Sequence, residues 1–184
     1  MAIIDQTRTW EPLEKRLAQT TNERHRLVLS TVIEHMKAEA LPDMDRLMAT
    51  ISPEPDYHFW QDGQHDFGPK TKPGVQAYYT AFVESRTNFL EFEVKRLIVD
   101  DHCLVTEGFL KQIYPGVEAI KIGVPVDDEA GDYLVVFRQL LLWPIDENGL
   151  VLGEDSYCPG VVSVTKLDRD DLPQAYIDRV HAPA

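Results

Sequence analysis

The sequence predicts an α+β fold: a cone-shaped, curved antiparallel sheet wrapped around about three helices. Three observations carry that prediction. Apolar residues recur at helical spacing in three segments of the first half, within residues 22–40, 42–51 and 75–85. From residue 89 the pattern changes to alternation, with Leu90, Phe92 and Val94 set against Glu91, Glu93 and Lys95, which describes a sheet with one wet face. The run Asp146-Glu147-Asn148-Gly149 is a strong hairpin turn, so the later strands succeed one another antiparallel. Helices followed by hairpin-linked strands make an α+β layer pair. A sheet that covers three helices must curl, and the curl leaves a hollow.

Each element follows in order. Residues 1–19 read as an arm, with Trp10, Leu13 and Leu17 spaced for a short docking helix. The first long helix spans 22–40, with a capping box from Thr20 to Glu23 and an apolar face of Leu29, Val32, Ile33, Met36 and Ala40. Pro42 suits the first turn of a second helix, whose stripe is Met44, Leu47, Met48 and Ile51. Pro53 and Pro55 end it. A short strand covers 57–60, a Gly- and Pro-rich loop covers 62–74, and a third helix covers 75–85. Strands are expected at 89–99, 103–114 and 133–143. Residues 116–131 read as a long loop between the last two. The 133–143 strand is apolar on both faces and is expected to lie centrally. The final strand, 150–165, is broken at Pro159-Gly160, and Asp171 is placed to cap a short closing helix. The expected division is an arm at 1–19, one domain at 20–168, and a short helix and tail at 169–184.

Composition narrows the function. The chain has 184 residues with 18 Lys+Arg against 31 Asp+Glu, a net charge of −13. That balance argues against nucleic-acid or anionic-membrane partners, which need a basic surface. Hydrophobic residues at 43% and charged residues at 27% are globular values, which argues against disorder. No run approaches the ~18 apolar residues of a membrane span, and the first 20 residues hold six charges where a signal peptide has its apolar core. A cytoplasmic setting is the expectation. Two cysteines, Cys103 and Cys158, are too few for a disulfide framework or a thiolate zinc site. There is no phosphate-cradling loop, no dinucleotide glycine fingerprint and no HExxH pair. No metal and no cofactor is expected.

Three stretches carry a family resemblance. They are the helix pair ending in Asp43-Met44-Asp45-Arg46-Leu47, the segment from Tyr57-His58-Phe59-Trp60-Gln61-Asp62-Gly63 through Gly68-Pro69-Lys70, and Arg138 with Trp143, the 146–149 turn and Gly153-Glu154-Asp155. Together they resemble the SnoaL-like branch of the nuclear transport factor 2-like superfamily over residues 20–165. The resemblance implies a bent-sheet cone with an apolar pocket at its wide end. Its members include isomerases, dehydratases, epoxide hydrolases, polyketide cyclases, non-catalytic modules, and cofactor-free lyases that release formaldehyde from lignin-derived diarylpropanes. The second stretch looks nearest to the lyase-containing branch.

The candidate site residues are weighed against plainer roles. Arg138 shares a strand face with Leu134, Val136, Leu140 and Leu142, and its charge there requires an anion. It is either a pocket cation for a developing oxyanion or half of an ion pair with Glu107, Glu154 or Asp155. Glu107, beside Val105, Phe109 and Ile113, is either a desolvated pocket acid, or on a face that turns outward near Lys111, or the partner of Arg138. Glu154 shares parity with Leu150 and Leu152 and is expected to face inward. Tyr157 lies on the opposite parity unless the break at Pro159 disturbs the strand. The resemblance implies that the short strand feeds a polar group into the pocket, so His58 is a candidate acid or base. Asp62 competes with it, as a catalytic carboxylate or a turn residue. Many relatives carry a pocket tyrosine near His35, which is either its substitute or an exposed helix histidine. Of Tyr78 and Tyr79, only one is expected to face the pocket. Trp60 suits stacking on an aromatic ring, or the core.

The leading expectation is a cofactor-independent lyase on a small aromatic or apolar molecule, losing formaldehyde or water. His58 or Glu154 would be the base and Arg138 the anion holder, with His35, Trp60, Tyr78, Glu107 and Tyr157 around the substrate. A ketosteroid-type isomerase and a non-catalytic binding module are the alternatives. A homodimer or homotrimer is expected, joined through Tyr133, Val135, Phe137 and Leu141 if those face outward.

Overall fold

The computed structural model describes residues 3–60 and 64–181. After a 3-10 turn at Gln6–Thr9 come α1 (Glu11–Gln19), α2 (Glu23–Ala40), α3 (Met44–Ala49), β1 (Phe59–Trp60) and α4 (Lys72–Glu84). The strands β2 (Leu90–Val99) and β3 (Cys103–Pro115) follow, then α5 (Gly116–Lys121), β4 (Asp132–Pro144), β5 (Asp155–Tyr157), β6 (Val161–Leu167) and α6 (Gln174–Val180). The α+β class and the curved antiparallel sheet are as the sequence predicts.

The sheet order is β1-β5-β4-β3-β2, with β6 on the same edge of β4 as β5. β5 pairs with residues 140–142 of β4, and β6 with residues 132–137. The expected single last strand is thus two, separated at Pro159-Gly160. β4 is central, and β1 joins β5 in parallel.

Local chemistry explains the element ends, with some corrections. α2 is capped by Asn22, whose side chain accepts from the His25 N–H, while the Thr20 hydroxyl donates to Arg16 O instead of forming the expected box. α3 is capped by Asp43, so Pro42 lies before it and not in its first turn. The 116–131 segment is not all loop, since it opens with α5. Gly108 sits opposite the β2 bulge between Val94 and Arg96, where an added Cβ would lie 2.1 Å from Glu93 O. A bulge increases local twist, and here it helps the sheet curl.

Register decides which residues face the helices. The inner face carries Leu104, Thr106, Leu110 and Gln112 of β3 and Val135, Phe137, Gln139, Leu141 and Trp143 of β4. The main core joins Leu104, Leu110, Leu141 and Trp143 to Val32, Met36, Leu47, Val75 and Tyr79 of the helices. Leu13 of the arm is fully buried in that same core, and Asp5 and Thr9 bond to β2. The arm therefore packs on its own domain. On the outer face, α6 covers one end through Tyr176, which packs with Phe89 and Ile113.

Candidate functional site

A cavity of about 650 Å³ lies between the inner sheet face, α2, α4 and the 3-10 turn at Thr9. That size suits a small organic ligand. Phe59, Tyr78, Phe82, Phe92, Leu110 and Trp143 give it aromatic and aliphatic walls. Residues of α5 and the Gly160-Val161 segment also line it.

Glu118, paired at 2.7 Å to Lys121, lines this space, and so do two further acids, Glu154 and Glu39. Glu154 precedes β5 and points inward with Ser156 and Cys158, because alternate residues of an extended chain share a side. Glu39 enters from the last turn of α2. Burial raises both carboxyls well above the ordinary carboxylate range. The charge of Glu154 raises Glu39 further, while a hydrogen bond from Tyr79 partly offsets the rise at Glu154. Neither acid has an ion-pair partner among the described residues.

A chain of hydrogen bonds runs back from Glu154 into the core. The Tyr79 hydroxyl lies 3.0 Å from Glu154 Oε2 and 2.9 Å from His35 Nε2. His35 Nδ1 lies 2.9 Å from Thr50 Oγ1, and the Thr50 hydroxyl donates to Leu47 O at 2.7 Å. His35 is fully buried, and burial holds its pKa down to about 3, so the imidazole is neutral. Tyr78 and Tyr79 are held as neutral phenols by burial and by the charge of Glu154.

The sheet adds a polar strip to the cavity. Gln139 Nε2 donates to Ser156 Oγ at 2.7 Å, and the Tyr114 hydroxyl donates to Gln112 Oε1 at 2.9 Å. Among the described residues, no group of three or more His, Cys, Asp or Glu side chains is arranged to hold a metal ion.

The structure brings together some of the expected residues and separates others. Glu154 and Tyr78 line the cavity, and His35 stands behind Glu154 instead of being exposed on its helix. Of the two adjacent tyrosines only Tyr78 lines the cavity, as expected, while Tyr79 is buried behind it with its hydroxyl between His35 and Glu154.

Arg138 is on the outer face, paired to Glu107 and lying 4.8 Å over the Phe109 ring. Its inward position is corrected, and so is that of Glu107, which also binds Arg96 at 2.7 Å. Tyr157 is opposite Leu140 on that same outer face and is 43% exposed. Phe59 takes the inward position of β1, so His58 and Trp60 turn away from the cavity and stack on each other with 6.1 Å between ring centroids. His58 Nδ1 lies 2.7 Å from Asp66 Oδ2, and Lys70 bridges Asp56 and Asp66. Asp62 lies outside the described residues. Tyr133, Val135, Phe137 and Leu141, which would form an interface if they faced outward, all face inward.

Sequence reasoning missed Glu39. The available signal was its spacing from His35: two titratable residues one turn apart beside the apolar stripe of α2. Gln112, Gln139 and Ser156 had no such signal, because only register places them together.

Known structures share this architecture. A SnoaL-like polyketide cyclase from Shewanella putrefaciens CN-32 is similar at 12% identity and a TM-score of 0.57, over 80% of this chain and 87% of that one. RV0760c from Mycobacterium tuberculosis, solved in complex with estradiol-17beta-hemisuccinate, is similar at 12% identity and a TM-score of 0.55, over 76% and 98%. An M. tuberculosis LEH-like epoxide hydrolase is similar at 14% identity and a TM-score of 0.53, over 72% and 83%. No protein-family model and no curated protein matches the chain. At these identities the likeness gives the fold: the chain has the nuclear transport factor 2-like fold seen in SnoaL-like proteins. That fold accommodates both small-ligand binding and catalysis, and the site decides between them.

Proposed function

We propose that the chain is a cofactor-independent acid–base enzyme acting on a small aromatic or apolar molecule, with Glu154 as base and Glu39 as proton donor. The observation that carries this reading is the pair of raised carboxyls facing one aromatic-walled cavity with no cation set against either among the described residues. Two interacting acids share protons as a pair. Near neutral pH such a pair offers one ionised and one protonated member, which is what concerted acid–base chemistry needs.

The preferred reaction is a lyase step on a diarylpropane-like diol. Glu154 takes the proton of a primary hydroxyl. The oxygen's electron pair forms the C=O of formaldehyde as the adjoining C–C bond breaks. The released pair forms a C=C bond, and the neighbouring hydroxyl leaves with the proton of Glu39 as water. The products are formaldehyde, water and an alkene, and one proton has moved from Glu39 to Glu154. Arg138 and His58 have no part in this scheme, being outside the cavity. The Gln139-Ser156 strip is positioned to bind a substrate hydroxyl or ether oxygen. The same pair would also serve an isomerase, with Glu154 removing a carbon-bound proton and returning it to another carbon.

Mass spectrometry of the protein with aromatic alcohols, diarylpropanes and β,γ-enones tests the reading. A product lighter by formaldehyde and water together is expected from the diol, with Glu154→Gln and Glu39→Gln each losing about 10²–10⁴-fold in rate. Unchanged mass with a shifted absorbance would favour the isomerase. Ligand retention without turnover, in a folded protein, would leave a binding module.

A further inference from the structure

We propose that His35 is a positioning residue: acting through Tyr79, it sets where the Tyr79 hydroxyl proton points and thereby keeps Glu154 basic. The inference rests on the reading of Glu154 as the base, and it concerns a residue that never touches substrate.

Proton accounting along the chain leads to it. The Thr50 hydroxyl has one proton, and it goes to Leu47 O. At His35 Nδ1, Thr50 can therefore only accept, so Nδ1 carries the hydrogen. A neutral imidazole has one N–H, which leaves Nε2 bare and 2.9 Å from the Tyr79 oxygen. Tyr79 thus has one proton and two acceptors, His35 Nε2 on one side and Glu154 Oε2 on the other.

The two acceptors make a two-position relay. While Glu154 is ionised, the Tyr79 proton points to it. Once Glu154 is protonated at Oε2, its O–H donates to the Tyr79 oxygen and the Tyr79 O–H swings to His35 Nε2. In the protonated state every proton of the relay then has an acceptor, so taking a proton strands no buried donor, while in the ionised state the unpaired group is the His35 Nε2 lone pair. Without an acceptor at position 35, the Tyr79 proton would point only at Glu154. It would stabilise the carboxylate and weaken the base.

The other groups facing this relay are few. Asp155 acts on Glu154, whose charge in turn acts on Glu39, Tyr57 and Tyr78, while Thr50, Tyr79 and the Trp143 ring surround His35.

The test needs no substrate, so it separates this inference from the proposed reaction. Nitrogen-15 histidine spectra of the full chain should show His35 neutral from pH 8 to 5, with hydrogen on Nδ1 and Nε2 bare. In a Glu39→Gln background, the infrared carbonyl band of protonated Glu154 gives its titration midpoint, assigned by its loss in the added Glu154→Gln variant. Adding His35→Leu should lower that midpoint by about half to one pH unit, and Tyr79→Phe should raise it. His35→Gln, which offers an oxygen acceptor near the place of Nε2, should restore it. An imidazolium or an Nε2–H tautomer at pH 6 would overturn the proposal, even if His35→Leu fails to fold. So would shifts of one sign, or none, in both variants. An intact relay in a protein that turns nothing over would sink the proposed reaction and leave the relay standing.

Discussion

Glu39 and His35 stand one turn apart on α2, and burial pushes them in opposite directions, each toward its neutral form. Their effects on stability have opposite signs. Glu39 keeps its proton in the folded state at pH values where the unfolded chain has released it. Its contribution is therefore greatest below the ordinary carboxylate range and is lost as pH rises toward the raised native value. His35 stays neutral down to about 3, so its contribution is lost as pH falls below the ordinary imidazole range. Glu39→Gln should accordingly stabilise the protein by about 1–2 kcal/mol at pH 8.5, a rise of roughly 2–8 °C in Tm, and change little at pH 4.5. Thermal unfolding at the two pH values checks this. An equal gain at both would mean that ionisation of Glu39 costs nothing. A group that lowers stability while facing a cavity is the usual signature of a functional residue.

At the scale of elements, β3 and β4 carry the site. Their central position leaves apolar side chains on both faces, so alternation alone does not say which face is inside. Arg138 and Glu107 illustrate the difficulty. Each lies among apolar neighbours on its strand, yet together they neutralise each other on the outer face, with Arg138 over Phe109. Gln139, one residue on from Arg138, faces the cavity instead. The β2 bulge opposite Gly108 brings the two backbones close together. Gly108→Val would place a branched side chain against the Glu93 carbonyl, from which even a Cβ is only 2.1 Å away. We expect a loss of about 1–3 kcal/mol or more, read by urea unfolding. A loss under 1 kcal/mol would mean that β2 can give way.

Among the described residues, the outer sheet face beyond the end covered by α6 carries a patch of apolar and charged side chains. Val105, Phe109, Val136, Leu140 and Leu142 share it with the Arg96-Glu107-Arg138 charge group and the exposed Ile98 and Tyr157. This face, and not the inner one, is where the expected homodimer or homotrimer would form. Sedimentation should then give more than one chain per particle, and Leu140→Glu should shift it toward monomer while leaving the fold intact. A monomer at micromolar concentration would reject the interface. No helix among the described residues is long and apolar enough to cross a membrane.

The sequence by itself determined the fold class, the order of the elements apart from α5 and the division of the last strand, the central place of β4 and the break at Pro159-Gly160. Those depend on local periodicity and turn chemistry, which act over a few residues. Only the tertiary structure decided that Glu39, Tyr79 and His35 join Glu154, and that Arg138, Glu107, His58, Trp60 and Tyr157 do not. The reason is register. One residue of shift in a strand exchanges its two faces, and when both faces are apolar no local pattern records the choice. It was made by the helices, which bury one face of the sheet and leave the other to solvent.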